Sequence, residues 1–218
     1  MKNHRLAILW DLDGTIIDSK ECHFNSWKAV FDKHGFPFSR PKYEENFGRN
    51  NQTVLRIYLG FQPDRELAEA LLDEKESVFR AQVAEGALLV PGVRTWLEAA
   101  ENRHYPQVIA SSAPMENIKT TLESFELQAY FDDTVSGAAL PAKPEPDVFL
   151  EASRRVGYPP ERCLVIEDSM PGVHAAKNAA MRCVAVSTSG STAAFEAADL
   201  LITDFTFPFE RALAQLFE

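Results

Sequence analysis

Six short apolar runs constrain this chain more than anything else in it. Leu6–Leu12, Gln107–Ala110, Thr134–Ser136, Cys163–Ile166, Cys183–Val186 and Leu200–Ile202 are together rich in Val, Ile and Leu, lack clean alternation, and end abruptly in polar residues. A strand with one wet face alternates, whereas a strand covered on both faces does not, so the runs read as strands of a parallel sheet. Helical stretches lie between them. Val93–Asn102 follows Pro-Gly, Pro114–Leu127 opens on proline, Asp147–Val156 stops at Gly157, and Pro171–Met181 leads into the next apolar run. Strands alternating with helices predict a doubly wound, Rossmann-like α/β sheet. With 218 residues there is room for such a core and an insert.

Residues 19–85 break the rhythm, because no strand pattern occurs there. Lys20–His34 reads as a helix, with Asp18 as cap, Glu21 three residues on, and Gly35 as stop. Gln52–Leu59 ends at Gly60, and Asp64–Ala84 is a long charged amphipathic stretch before Gly86. The expected organisation is an α/β core over 1–18 and 86–218, with an inserted α-helical cap over 19–85.

Composition narrows the classes of partner. Hydrophobic residues at 45% and charged residues at 25% are ordinary for a globular protein. The net charge of −10 repels a phosphate backbone, so no nucleic-acid partner is expected. Three cysteines (Cys22, Cys163, Cys183) are odd in number and form no C-x-x-C pair, which argues against a zinc ribbon or disulfide framework and fits a reducing compartment. No run approaches the roughly 18 apolar residues of a membrane span. The run Leu6–Trp10 is shorter than the roughly 7–15 residue core of a secretory signal. The expectation is a cytoplasmic monomer without a membrane partner.

The first apolar run leads directly into Asp11-Leu12-Asp13-Gly14-Thr15. Open parallel sheets bind ligands beyond the carboxyl ends of their strands, so two carboxylates sit at the working edge, on one side of the strand. Gly14 permits a tight turn whose backbone N–H groups are free to meet an anion. Glu167-Asp168-Ser169 ends the fourth run and adds two acids at the same edge. Like charges ~4 Å apart repel by about 4 kcal/mol at an effective dielectric near 20, so four carboxylates need a cation. Oxygen donors and a phosphate co-ligand favour Mg²⁺. Ser111-Ser112 closes the second run before a helix, a seat for an oxyanion, and Lys143 stands in a stiff segment before Pro144.

These four elements together resemble the haloacid dehalogenase-like hydrolase superfamily. Asp-Leu-Asp-Gly-Thr is similar to its first motif, Ser111 to its second, Lys143 to its third and Glu167-Asp168 to its fourth; residues 19–85 resemble the helical cap of the β-phosphoglucomutase-like branch. The resemblance implies Asp11 as nucleophile forming an aspartyl-phosphate, and Asp13 as general acid–base that also offers its backbone carbonyl to Mg²⁺. It implies Asp168 as metal ligand and Glu167 as ligand or its support. Ser111 and Lys143 would hold the phosphoryl group, with Gly14, Thr15 and Ser112 on the substrate side. A protonated Asp13 relieves the charge of an incoming phosphate and supplies a proton to the leaving alkoxide. The dehalogenase branch itself lacks the second Asp and needs no metal, so it fits poorly.

The phosphoryl acceptor decides between a phosphatase, which uses water, and a mutase, which uses a sugar phosphate. The stretch through Ser19, His23 and Trp27 is similar to β-phosphoglucomutase. His23 resembles its hinge histidine, and Lys75 falls where a cap lysine would face the sugar. The plainer alternatives stay open: Trp27 as packing core, His23 as a hydrogen-bonded helix residue, Lys75 as a surface lysine. In Asn46-Phe47-Gly48-Arg49-Asn50-Asn51 the mutase's phosphate-holding arginine is replaced by Asn51, with Arg49 next to the glycine. That departure favours a Mg²⁺-dependent phosphatase of small phosphorylated metabolites, including sugar phosphates, over a β-phosphoglucomutase. A non-catalytic phosphometabolite sensor is the alternative from another class.

Overall fold

The computed structural model describes residues 6–46, 51–188 and 195–217. In chain order the elements are β1 (Ala7–Trp10), β2 (Ile17–Asp18), α1 (Lys20–Lys33), α2 (Arg40–Asn46), α3 (Asn51–Leu59), α4 (Arg65–Gly86), β3 (Leu88–Leu89), α5 (Val93–Asn102) and β4 (Gln107–Ser111). Then follow α6 (Met115–Ser124), β5 (Asp133–Ser136), α7 (Asp147–Val156), β6 (Cys163–Glu167), α8 (Met170–Asn178), β7 (Arg182–Val186), β8 (Leu200–Ile202) and α9 (Phe209–Phe217).

Among the described residues six strands form one sheet in the order β5-β4-β1-β6-β7-β8, every neighbouring pair parallel. All four residues of β1, all five of β4 and all five of β6 are buried. That is the condition under which a strand loses its alternation. Trp10 donates its indole N–H to Gln107 Oε1 at 3.1 Å, and Gln107 passes its own amide to the Leu97 carbonyl, so the polar groups at this buried strand start are satisfied. From β1 the chain winds outward to β4 and β5, then returns to the other side of β1 for β6, β7 and β8. The reversal leaves β1 flanked by β4 and β6, which brings the ends of three separately encoded strands to one edge.

The chain divides into two compact units, Met1–Asp18 with Leu88–Glu218, and Ser19–Ala87. The second junction lies two residues beyond the expected Gly86, because α4 runs through Gly86 instead of stopping before it. Each junction is followed or preceded by a strand unseen in the sequence: β2 and β3 pair antiparallel, Ile17 with Leu89 and Asp18 with Leu88. Asp18 therefore belongs to a ribbon and is not a helix cap. Ser19 takes that position without a side-chain cap bond, and Glu21 instead accepts both guanidinium N–H groups of Arg40 at 2.7 Å.

The helical unit has its own core. Phe24, Trp27, Val30, Phe31, Tyr43, Val54, Leu55, Tyr58 and Leu71 are buried together, with aromatic edges meeting faces at 5.6–5.9 Å around Trp27, Phe31 and Tyr58. Burying one such side chain contributes about 1.5–3 kcal/mol. Trp27 is thus packing core, as its plainer reading held. Among the described residues no helix is long and apolar enough to cross a membrane.

Candidate active site

The site is built at the carboxyl end of β1. Asp11 is the first residue past the strand, and its backbone N–H still donates to the Ile166 carbonyl of β6 at 3.0 Å. That bond clamps the Asp11 backbone to the strand that carries Glu167. The next residues fold back at once: Gly14 donates to the Ile17 carbonyl at 2.8 Å, and Ile16 to the Leu12 carbonyl at 2.9 Å. Gly14 adopts φ +82, which only glycine takes without strain. A Cβ there would also lie 2.0 Å from Asp168 Oδ2.

This turn corrects one expectation. The Gly14 N–H does not face an anion, because it closes the turn on Ile17. Glycine serves here for its backbone angle and for the close approach of Asp168. Thr15, expected on the substrate side, is fully buried, and its hydroxyl donates to Asp168 Oδ1 at 3.4 Å. It orients an acid.

Asp11, Glu167 and Asp168 each offer a carboxylate oxygen within 4.8 Å of the others. Asp13 is not part of that three-carboxylate group. Lys143 reaches in from the segment before α7: its ammonium donates to Asp11 Oδ1 at 2.5 Å and to Glu167 Oε1 at 2.7 Å. The ammonium also lies 4.8 Å from the centre of the Phe149 ring, which closes its apolar side. The lysine side chain is only 8% exposed, so it is not a surface decoration. Glu167 is held from the other side as well, since its Oε2 accepts the Ser169 backbone N–H at 2.6 Å.

One ammonium against three carboxylates leaves two negative charges uncompensated in a partly dry site. The ionisation equilibria respond. Burial pushes the Asp11 carboxyl up to about 7 against the pull of Lys143. Asp168 is raised by burial and then by the charges of Glu167 and Asp11. Burial alone would lower Lys143, but Asp11 and Glu167 more than reverse this and hold it charged. All the donors are oxygens, the excess charge is negative, and Gly14 supplies the space that lets Asp168 approach. A hard divalent cation fits such a set.

On the other flank, Ser111 ends β4 and is buried, with its hydroxyl accepting the Ala113 N–H at 3.1 Å. The loop to α6 is tied down by Ser136, which donates to the Ala113 carbonyl at 2.6 Å, and by the Gly137 N–H on the Ser111 carbonyl at 2.7 Å. Ser112 is exposed in that loop. A further residue at this edge is Thr188. Its hydroxyl, just past β7, donates to the Gly14 carbonyl at 3.2 Å and braces the Asp11–Thr15 turn from a third strand. Its signal in the sequence was Ser187-Thr188 directly after an apolar run, the same pattern as Ser111-Ser112.

In the helical unit the surface reading of Lys75 does not hold. Lys75 is fully buried; its ammonium donates to Glu76 Oε1 at 3.0 Å and meets His23 Nδ1 at 3.1 Å. It lies over the Trp27 and Phe79 rings, 5.6 and 5.1 Å from their centres, and the His23 ring stacks on Phe79 at 4.2 Å. Asn51 joins the group by donating to Glu76 Oε1 at 2.5 Å. Arg49 lies outside the described residues.

With this geometry in place, comparison with known proteins is decisive. The family model described as haloacid dehalogenase-like hydrolase matches residues 8–186, which takes in Asp11, Asp13, Ser111, Lys143, Glu167 and Asp168. The chain belongs to the haloacid dehalogenase-like hydrolase family. It is 29% identical over 178 residues to the phosphorylated carbohydrates phosphatase of Thermotoga maritima, spanning 79% of this chain and 81% of that one. It is 30% identical over 188 residues to the β-phosphoglucomutase of Bacillus subtilis, spanning 83% and 82%. A family IA variant 3 hydrolase of this family from Entamoeba histolytica HM-1:IMSS superposes with a TM-score of 0.89, covering 98% of this chain and all of that one, at 24% identity. The last match concerns the fold. The two enzymes place the chain in the β-phosphoglucomutase-like branch, among phosphatases and mutases.

Proposed function

We propose that the protein is a Mg²⁺-dependent phosphatase of small phosphorylated metabolites, sugar phosphates among them, acting through an aspartyl-phosphate on Asp11. One observation carries the reading. Asp11 stands at the end of the central strand with its carboxylate 2.5 Å from the buried Lys143 ammonium, beside two further carboxylates. That constellation suits attack on a phosphorus centre.

In the proposed reaction an Asp11 carboxylate oxygen attacks phosphorus, the bond from phosphorus to the alkoxide oxygen breaks, and Asp13 gives its proton to the departing alkoxide. Water then attacks the acyl phosphate and returns a proton to Asp13, which frees inorganic phosphate and restores Asp11. Lys143 neutralises Asp11 before the attack and the equatorial phosphoryl oxygens during it. Ser111 holds a phosphoryl oxygen. Asp11, Asp168 and Glu167, with the Asp13 carbonyl, are the groups that would hold Mg²⁺; when bound, the ion offsets the phosphate charge that these acids would otherwise repel.

Hydrolysis is preferred over phosphoryl return to a sugar because Asn51, standing where the resemblance puts a mutase arginine, is engaged with Glu76 and offers no cationic clamp.

The test is a phosphate-release screen with Mg²⁺ over sugar phosphates, sugar-alcohol phosphates and nucleotides. Wild type and Asp11→Asn run in parallel, alongside an assay of β-glucose 1-phosphate conversion to glucose 6-phosphate. Release that Asp11→Asn abolishes, outpacing isomer conversion, is the expected result. Efficient conversion with little free phosphate would make the protein a mutase. Absence of turnover, with no beryllofluoride adduct on Asp11, would make it a sensor.

A further inference from the structure

Gly172 is the third residue of α8 and its backbone is ordinary for a helix, without the positive φ that calls for glycine. Glycine inside a helix weakens it relative to alanine, so something else must account for the choice. Its N–H donates to the Ser169 hydroxyl at 3.1 Å as part of the helix cap, but any residue save proline does that. What only glycine allows is space. A Cβ at Gly172 would stand 1.7 Å from Glu167 Oε1, 1.9 Å from Cδ and 2.5 Å from Oε2, overlapping the whole carboxylate.

That carboxylate has no free direction in which to retreat. Oε2 is held by the Ser169 N–H and Oε1 by the Lys143 ammonium, which at the same time grips Asp11. Moving it away from α8 releases one bond or both. We propose that Gly172 is a positioning residue: its missing side chain lets the first turn of α8 close on Glu167, and through Glu167 it fixes the Lys143 ammonium against Asp11. The activity part of this inference rests on the phosphatase reading above; the placement of Lys143 does not.

Two readouts separate the two claims. The first is the rate at which an amine-reactive reagent labels Lys143 in metal-free protein, followed by mass spectrometry of the peptide that contains it. In the wild type the ammonium is buried and paired, so labelling is slow. Gly172→Ala should speed it at least tenfold. Ala176→Gly, a buried change in the same helix away from the acids, should leave the rate within twofold. The second is turnover of p-nitrophenyl phosphate with Mg²⁺, where Gly172→Ala should lower kcat at least tenfold and move KM less than threefold. In a Glu167→Ala background there is no carboxylate to displace, so adding Gly172→Ala should change either readout less than twofold. Equal effects of Gly172→Ala in both backgrounds, or unchanged labelling, would overturn the proposal. If Gly172→Ala alone does not fold, folding of the double variant supports it and failure of the double variant overturns it. Faster labelling in a protein that hydrolyses no phosphomonoester would keep the positioning role and reject the phosphatase.

Discussion

Replacing Asp168 with asparagine should make the metal-free protein more stable while destroying its use. The carboxylate shares a space of 4.8 Å with Asp11 and Glu167, and Lys143 bonds those two but not Asp168. Two charges at that separation repel by roughly 3.5 kcal/mol at an effective dielectric of about 20, so two acids against one ammonium leave roughly 3 kcal/mol of net strain on Asp168. The side chain keeps partial contact with water, and screening reduces this to about 1.5–2 kcal/mol. Asparagine is isosteric, and its oxygen still accepts from Thr15. Urea unfolding in EDTA at pH 7.5 should therefore place Asp168→Asn above wild type by about 1.5–2 kcal/mol. The pH sign follows from a carboxyl raised on folding: the cost exists above its unfolded value near 4 and vanishes below it. The advantage should thus shrink as pH falls from 7.5 to 4. With Mg²⁺ at about one hundred times its Kd, wild type gains roughly 2.7 kcal/mol and the order reverses. A variant less stable than wild type in EDTA at pH 7.5 would refute the reasoning, because the acids would then not be repelling one another.

Mg²⁺ binding should be coupled to proton release. Burial raises Asp11 to about 7 and also raises Asp168, and both must be deprotonated to act as ligands, so the apparent affinity should fall as pH drops from 8 to 6. Calorimetry in two buffers of different ionisation enthalpy reads this directly, and a pH-independent affinity would contradict it. Tyr58→Phe concerns the helical unit. Its hydroxyl is buried, finds no hydrogen-bond partner among the described residues, and is pushed up to about 12 by burial. Removing the orphaned group should raise the stability of the protein by about 0.5–1 kcal/mol in thermal or urea unfolding.

The buried strands alternating with helices, the helical stretch after the first of them and the acids at two strand tips were legible in the sequence. Doubly covered strands write themselves as unbroken apolar runs, and Asp11-Leu12-Asp13-Gly14-Thr15 compresses a strand end, two acids and a tight turn into five neighbours. Such features depend on residues adjacent in the chain, and local periodicity encodes them. Contacts between distant segments were not available in the same way. The β2–β3 ribbon pairs Ile17 with Leu89 and Asp18 with Leu88, and each strand is two residues long, too short to carry a pattern. Lys75 looks like any lysine on a charged helix until α1 lays His23 and Trp27 against it. The Gly14 N–H looked available until the turn closed on Ile17. Lys143 bonds Asp11 across 132 positions and Glu167 across 24, and only the reversal of strand order around β1 brings the three together. Residue types and the family resemblance thus marked these acids and this lysine as candidates. The partner of each charge, its burial and the resulting shift in its proton affinity arose only once the sheet had assembled, because they depend on distances that no stretch of sequence contains.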